Sequence, residues 1–388
     1  MEGSALKVFP RQKQPLFVSW VYRIPALFYE RESKTLLAFA EQRRTENDAS
    51  SVNLVMKTGE VKMEVPSKLK TIKWSELKAV EEAHIPGYRP MNPCPLYDEK
   101  RKTLFLFFIC VEGTVSEKKQ IQNYTNAARL CYITSKNLGQ SWSGVTDLTD
   151  KLDEIKGWAT FAVGPGHGLQ KKSGRLIVPV YAYVSCCSSS CLCCFKCCQV
   201  NPYSLALYSD DHGDKWQFGE MLQNESVECE MAEYFDDKEN SIIYCNARSK
   251  KEFREEAVSS DEKLSFKPSS AMKLVETGTG CQGSVVSFPA QSGDEGQSQN
   301  ATNKWLLFTH PTTSKRTDLG VYLNESPQDP NAWSKPWIIN KGPSAYSDLA
   351  YIDDGWFACL MERGEISEIE QIACNVFSYQ EVKQGITE

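Results

Sequence analysis

An eight-residue pattern recurring along a strand-rich chain limits the fold more than any other feature. Ser209-Asp210-Asp211-His212-Gly213-Asp214-Lys215-Trp216 reads S-x-D-x-G-x-x-W, the form of an Asp box. Ser135-Lys136-Asn137-Leu138-Gly139-Gln140-Ser141-Trp142 repeats it with Asn for Asp, and Ser259 to Phe266 is a degraded copy with Lys263 for Gly and Phe266 for Trp. In each copy a short polar side chain can bond its own backbone turn while the aromatic ring closes underneath. One such hairpin per unit predicts radial repetition, hence an all-β propeller. The surrounding segments agree. Thr35–Ala40, Thr103–Val111, Arg129–Thr134, Arg175–Tyr183, Ser241–Asn246 and Gln371–Phe377, among others, are short, rich in β-branched and aromatic residues, and bounded by turn formers. Helical periodicity is best at Ser75–Ala83 and scarce elsewhere, which excludes folds that need helices between parallel strands. All of 1–388 is expected to form one propeller domain, with a Cys-rich excursion at 185–201 and a mobile Gly/Ser/Gln/Asn-rich surface loop at 291–303.

A net charge of −6 supplies no basic field for nucleic acid. The N-terminus has no signal-peptide core, and no run approaches a membrane span; Leu104–Val111 reads as a buried strand. The expected location is intracellular: cytoplasm, or the periphery of the plasma membrane or an endomembrane. Of fifteen cysteines, eight are dispersed through strand-like segments as small apolar residues. The other seven (Cys186, Cys187, Cys191, Cys193, Cys194, Cys197 and Cys198) are crowded together. Without a signal peptide a disulfide framework is not expected. A zinc site would want spacers that adjacent cysteine pairs lack, and inert loop thiols are a further alternative. The preferred reading is reversible S-acylation, since two or more acyl chains anchor a protein stably where one does not. The sequons at Asn123, Asn224, Asn300 and Asn324 are taken as chance. His84, His167, His212 and His310 show no ligand or triad spacing, so no metal or cofactor is expected.

The chemistry lies in scattered motifs. Tyr22-Arg23-Ile24-Pro25 opens the chain and Phe39-Ala40-Glu41-Gln42-Arg43 follows. Cys245-Asn246-Ala247-Arg248 and Lys315-Arg316-Thr317-Asp318 answer them far downstream. Three guanidiniums converging on one pocket suit a carboxylate held by charge-assisted forks. From about Tyr22 to Phe377 these motifs resemble those of the animal exo-α-sialidases (neuraminidases). Phe107–Val111, Asn126–Cys131 and Trp158–Gly168 look most similar to the membrane-associated ganglioside sialidase type.

The resemblance implies six blades and hydrolysis of terminal sialic acid from gangliosides, glycoproteins and oligosaccharides. It also implies Arg23, Arg248 and Arg316 as carboxylate binders, with Glu362 buttressing the first. Sialic acid carries its carboxylate on the anomeric carbon, so an Asp or Glu nucleophile would meet anion with anion. A neutral tyrosine avoids this, but with a pKa near 10 only roughly one in 10⁴ is ionised near pH 6, so it needs a carboxylate to take its proton. Sialidases are the recognised tyrosine exception among glycosidases. By resemblance the nucleophile is Tyr346 and its base Glu228. The acid is Asp48, for which Glu46 is the nearby alternative, and as an acid near neutral pH it requires local desolvation. Arg43, Met91, Asn92, Glu117, Tyr181, Tyr183 and Gln282 are carried over as pocket residues for the glycerol and N-acyl arms. Three rival readings are a sialic-acid-binding propeller without turnover, a transferase that passes sialic acid to another sugar, and a sialidase acting mainly on soluble glycans.

Overall fold

The computed structural model describes residues 6–10, 12–13, 19–64, 69–185, 200–291 and 303–387. The cysteine cluster and nearly all of 291–303 therefore lie outside the described residues. The chain forms a β-propeller of antiparallel sheets arranged in sequence order. Four are built from the strands of 12–79, 88–147, 158–218 and 229–268. The fifth has seven strands, running from Ser284–Pro289 through Trp337–Tyr351 and Gln371–Ser378 to Leu6–Pro10.

Among the described residues, six blades are thus corrected to five hydrogen-bonded sheets. The cause is one 15-residue strand, Trp337–Tyr351. Its first half pairs with Thr317–Asn324, and its second half pairs with Trp356–Arg363. A strand that ends one unit and begins the next leaves no break to count.

An apolar cluster fills each gap between successive sheets. Phe39, Leu104 and Phe108 pack between the first and second. Phe107, Phe161 and Leu205 pack between the second and third. Ile177, Met231 and Ile243 join the third to the fourth, and Tyr244, Val285 and Phe308 join the fourth to the fifth. Leu27 and Leu36 meet Leu360 and Ile372 to close the ring. Each such side chain contributes about 1.5–3 kcal/mol when buried. The backbone of Leu6–Pro10 pairs with Gln371–Ser378, so both ends of the chain belong to one sheet. A strand covered on both faces cannot alternate polar and apolar residues, which is why Thr103–Glu112 is buried over all but its last residue.

The Asp boxes fold as their pattern predicts. Ser209 Oγ accepts Gly213 N at 2.8 Å and Asp211 Oδ1 accepts Lys215 N at 2.8 Å. Gly213 sits at φ +90°, where a Cβ would meet Phe105 at 2.6 Å. The degraded copy keeps its backbone bonds: Asp261 Oδ1 accepts Lys263 N and Ser265 N.

Ser75–Ala83 is not helical. Lys78–Ala79 pairs with Val55–Met56, and Val80 N donates to Leu54 O, so its apolar residues dock as an outer edge. Helices occur instead at Glu117–Asn123, capped by Ser116, and at Tyr379–Thr387. Among the described residues no helix is long and apolar enough to cross a membrane.

Candidate active site

The strands that carry the site are bulged where the functional residues lie. Pro25 has no N–H to give to a ladder, and the register slips between Arg23 and Ala26 with Ile24 at φ +61°. A β-branched residue there costs on the order of 1–3 kcal/mol. Ile24 N is held by Glu362 Oε1 at 2.9 Å, which offsets part of that cost. Met91-Asn92-Pro93 repeats the device, with Asn92 at φ +56° and a slip between Met91 and Cys94. A third slip falls between Ser344 and Ser347, around Tyr346.

These bulges open on a cleft of about 330 Å³ lined by Arg23, Arg248, Arg316, Asp48, Glu228 and Tyr346. Tyr346 hydroxyl donates a hydrogen bond to Glu228 Oε1. Arg248 Nη1 reaches both partners, at 2.8 Å to Glu228 Oε2 and 3.1 Å to the Tyr346 oxygen. The guanidiniums of Arg23 and Arg316 lie 5.6 and 5.3 Å from the centre of the Tyr346 ring. Burial pushes the Tyr346 phenol well above its ordinary range and the Glu228 charge pushes it further, while Arg248 and Arg316 pull it down. The phenol is therefore neutral, with its proton donated to Glu228.

The three arginines are not equivalent. Arg23 Nε donates to fully buried Glu362 at 2.6 Å. Burial alone would lower this guanidinium's pKa, but Glu362 outweighs it and raises it. Arg248 pairs with Glu228. Among the described residues Arg316 has no carboxylate partner and its buried Nε has no acceptor, while its Nη2 donates to Gly280 O at 3.0 Å.

Asp48 faces the cleft on a short 3-10 turn, held by Arg43 Nη1 at 2.5 Å. Glu46 does not line the cleft; its carbonyl instead accepts from Arg43. The desolvation expected around Asp48 is absent, since its side chain is 64% exposed. A leaving group seated over it would have to supply that cover.

Glu117 begins a helix at the rim and lines the cleft, although the residue as a whole is open to solvent. Desolvation, then repulsion from Glu228 and Asp48, pushes its carboxyl up to about 7. Met91, Asn92 and Tyr181 line the cleft, and Tyr183 lines a smaller adjoining hollow. Gln282 is not among the residues that line the cleft. It is 1% exposed and lies beneath the cleft, accepting Ser347 N and donating to Glu230.

Sequence reasoning missed several residues. Glu41 is buried, binds Arg43 through Oε2 and accepts Asn92 N through Oε1. Arg89 ties Asp48 O to the carbonyls of Gly113 and Val115. Ile109, Val111 and Phe161 form an apolar wall. Glu41 stands inside the Phe39–Arg43 motif and was legible there, Ile109, Val111 and Phe161 stand inside the segments Phe107–Val111 and Trp158–Gly168, and Arg89 carries no local signal. A larger cavity of about 480 Å³, lined by Tyr29, His167 and Lys304 among others, contains none of the expected site residues. Near it His167, Glu230 and Asp348 bring ligand atoms within 4.8 Å of one another, but Ser284, Val285 N and Leu27 N already occupy the carboxylates.

Known proteins resemble this chain along most of its length. The family described as "BNR repeat-like domain" matches residues 25–359. Human Sialidase-3 is 42% identical over 93% of this chain and 90% of its own. Mouse Sialidase-2 is 41% identical over 92% and 93%, and mouse Sialidase-4 is 36% identical over 98% and 94%. Among solved structures, the Hadza microbial sialidase Hz136 superposes with a TM-score of 0.72 at 18% identity, over 93% of this chain and 66% of that one. The intramolecular trans-sialidase from Ruminococcus gnavus gives 0.69 at 16%, over 93% and 95%. A shared propeller needs no such identity along nine-tenths of both sequences, and on that ground this chain belongs to the sialidase family.

Proposed function

We propose that this protein is an exo-α-sialidase that releases terminal sialic acid from glycoconjugates with retention of configuration. The observation that carries the reading is the Tyr346–Glu228 contact beneath three guanidiniums. Arg23, Arg248 and Arg316 take the sialate carboxylate. Glu228 accepts the phenolic proton as Tyr346 oxygen attacks the anomeric carbon, and Asp48 gives a proton to the departing glycosidic oxygen. In the second half Asp48 takes a proton from water, which attacks the same carbon, and Glu228 returns its proton to Tyr346. Glu362 holds Arg23 and Tyr346 N. A lectin-like propeller would have no use for a phenol bonded to a carboxylate, which disfavours that rival.

The test is purified protein with a sialoside followed by proton NMR. The α-anomer of free sialic acid is expected first, without added metal and unaffected by chelator; the β-anomer first would overturn double displacement. Cleavage is expected to strengthen as pH falls below about 7, where the Glu117 carboxyl becomes neutral and no longer repels the anionic substrate. Adding an acceptor glycan checks for transfer, expected to be minor. For Asp48→Ala, a poor leaving group should suffer about 10²–10⁴-fold loss, the usual contribution of general acid catalysis, while an activated aryl leaving group suffers far less. Equal losses would point to another acid.

Gangliosides are the favoured substrates under this reading, and the Cys186–Cys198 cluster holds the enzyme on their membrane by S-acylation. Two observations support it. Tyr181 and Tyr183 lie on the strand Leu176–Ser185, which ends where the cluster begins, and Ser185 pairs with Val200. The attachment points of the segment are therefore near the rim of the cleft. Replacing all seven cysteines by serine should move the protein from the membrane pellet to the soluble fraction with unchanged activity on a soluble sialoside. A pellet-bound variant would rule the anchor out.

A further inference from the structure

Two of the three arginines lean on the same turn. Arg248 Nη2 donates to Thr279 O at 2.8 Å, and Arg316 Nη2 donates to Gly280 O at 3.0 Å. A few peptide groups in 277–281 therefore set how far apart these guanidiniums stand. The turn is held from within by Glu276. Its Oε1 accepts Thr277 N at 2.8 Å and Cys281 N at 3.0 Å. Its Oε2 accepts Ser249 N, next to Arg248, at 3.2 Å and Arg254 Nη1 at 2.6 Å. Arg254 goes on to donate to Cys281 O, and through Nε to Asn246 Oδ1 at 2.8 Å. Both side chains are wholly buried. His310 Nε2 lies 2.9 Å from Glu276 Oε1, and Gly278 N donates to Ser314 O, two residues before Arg316.

A buried ion pair is a poor source of net stability, because desolvation offsets most of the attraction. What this pair does have is direction. The backbone groups it binds lie in the turn itself or beside Arg248. Gly280 adds independent support: at φ +76° a Cβ would stand 2.5 Å from Arg248 Nε and 2.9 Å from its Cγ, so the turn is bare where the arginine stem passes.

We propose that Arg254 and Glu276 are positioning residues for the substrate carboxylate, setting the 277–281 turn whose carbonyls hold Arg248 and Arg316 in register. This rests on the sialidase reading above. The test uses the full chain, a fluorogenic sialoside and a carboxylate-bearing unsaturated sialate analogue as titrated ligand. Glu276→Gln should raise KM and the analogue's Kd by about tenfold, with a smaller change in kcat, and Glu276→Asp should recover part of the loss. In a double-mutant cycle with Arg316→Ala, the combined loss in analogue affinity should fall short of the product of the single losses, since the part of the Glu276 effect that runs through Arg316 is already gone while the part through Arg248 remains. Multiplicative losses, or analogue affinity unchanged in Glu276→Gln, would overturn the role. Should that variant fail to fold, Arg254→Lys, which keeps a cation beside Glu276 but cannot reproduce the guanidinium's bonds to both Cys281 O and Asn246, carries the test. It should show the same KM-weighted loss, and wild-type affinity in it would overturn the proposal. Wild-type turnover is read first. A wild type that neither cleaves nor binds sialosides removes the function and this proposal together, whereas an active wild type with multiplicative losses removes this proposal alone.

Discussion

Tyr346→Phe is expected to lower kcat by about 10³-fold or more while the folded protein still binds a sialate analogue with near wild-type affinity. The change removes one oxygen. The ring stays, packed with Ile24, Cys281 and Ala345 and flanked by Arg23 and Arg316. Glu228 loses its phenol but keeps Arg248 at 2.8 Å, so no buried anion is stranded. The phenylalanine variant leaves no oxygen to attack the anomeric carbon, and the three guanidiniums remain for the carboxylate. Single-turnover kinetics and titration with the analogue separate the two effects. Full activity in the variant would end the assignment of Tyr346 as nucleophile.

Arg316→Ala should weaken the analogue by roughly 10- to 150-fold, corresponding to loss of about 1.5–3 kcal/mol for one charge-assisted hydrogen bond. This arginine is the informative one to remove because it has no carboxylate partner among the described residues. Its deletion strands no acid, so the melting temperature should hardly move. Arg23→Ala is the contrast. It leaves Glu362 buried without its cation, and breaking a buried pair in this way costs about 3–5 kcal/mol, so the fold should suffer along with binding. Calorimetric titration and thermal melts on the two variants distinguish the cases. Equal destabilisation in both would contradict the different pairing of the two guanidiniums.

The propeller was legible because its repeats are local. An Asp box needs only eight consecutive residues to bond its own turn, and Ser209–Trp216 does so as its pattern requires. The arginines, Asp48, Glu228, Tyr346 and Glu362 were legible for a different reason: each sits in a short motif. The sheet count was not legible, since it depends on whether the backbone breaks between Pro343 and Ser344, and Trp337–Tyr351 runs straight through. Ser75–Ala83 misled because spaced apolar residues can dock on a sheet edge as readily as on a helix.

What the amino-acid sequence determined by itself was the repeat, the strand-rich class and the set of chemical groups. Only the tertiary structure decided which of those groups meet. Glu228 and Tyr346 stand 118 residues apart, and Arg23 and Glu362 stand 339 apart. The same packing placed Gln282 beneath the cleft, left Asp48 in solvent and enclosed Arg254 with Glu276. The physical reason is range. Turn chemistry and strand propensity act over a few residues, while burial, ion pairing and the convergence of guanidiniums depend on distances that exist only once the sheets have closed into a ring.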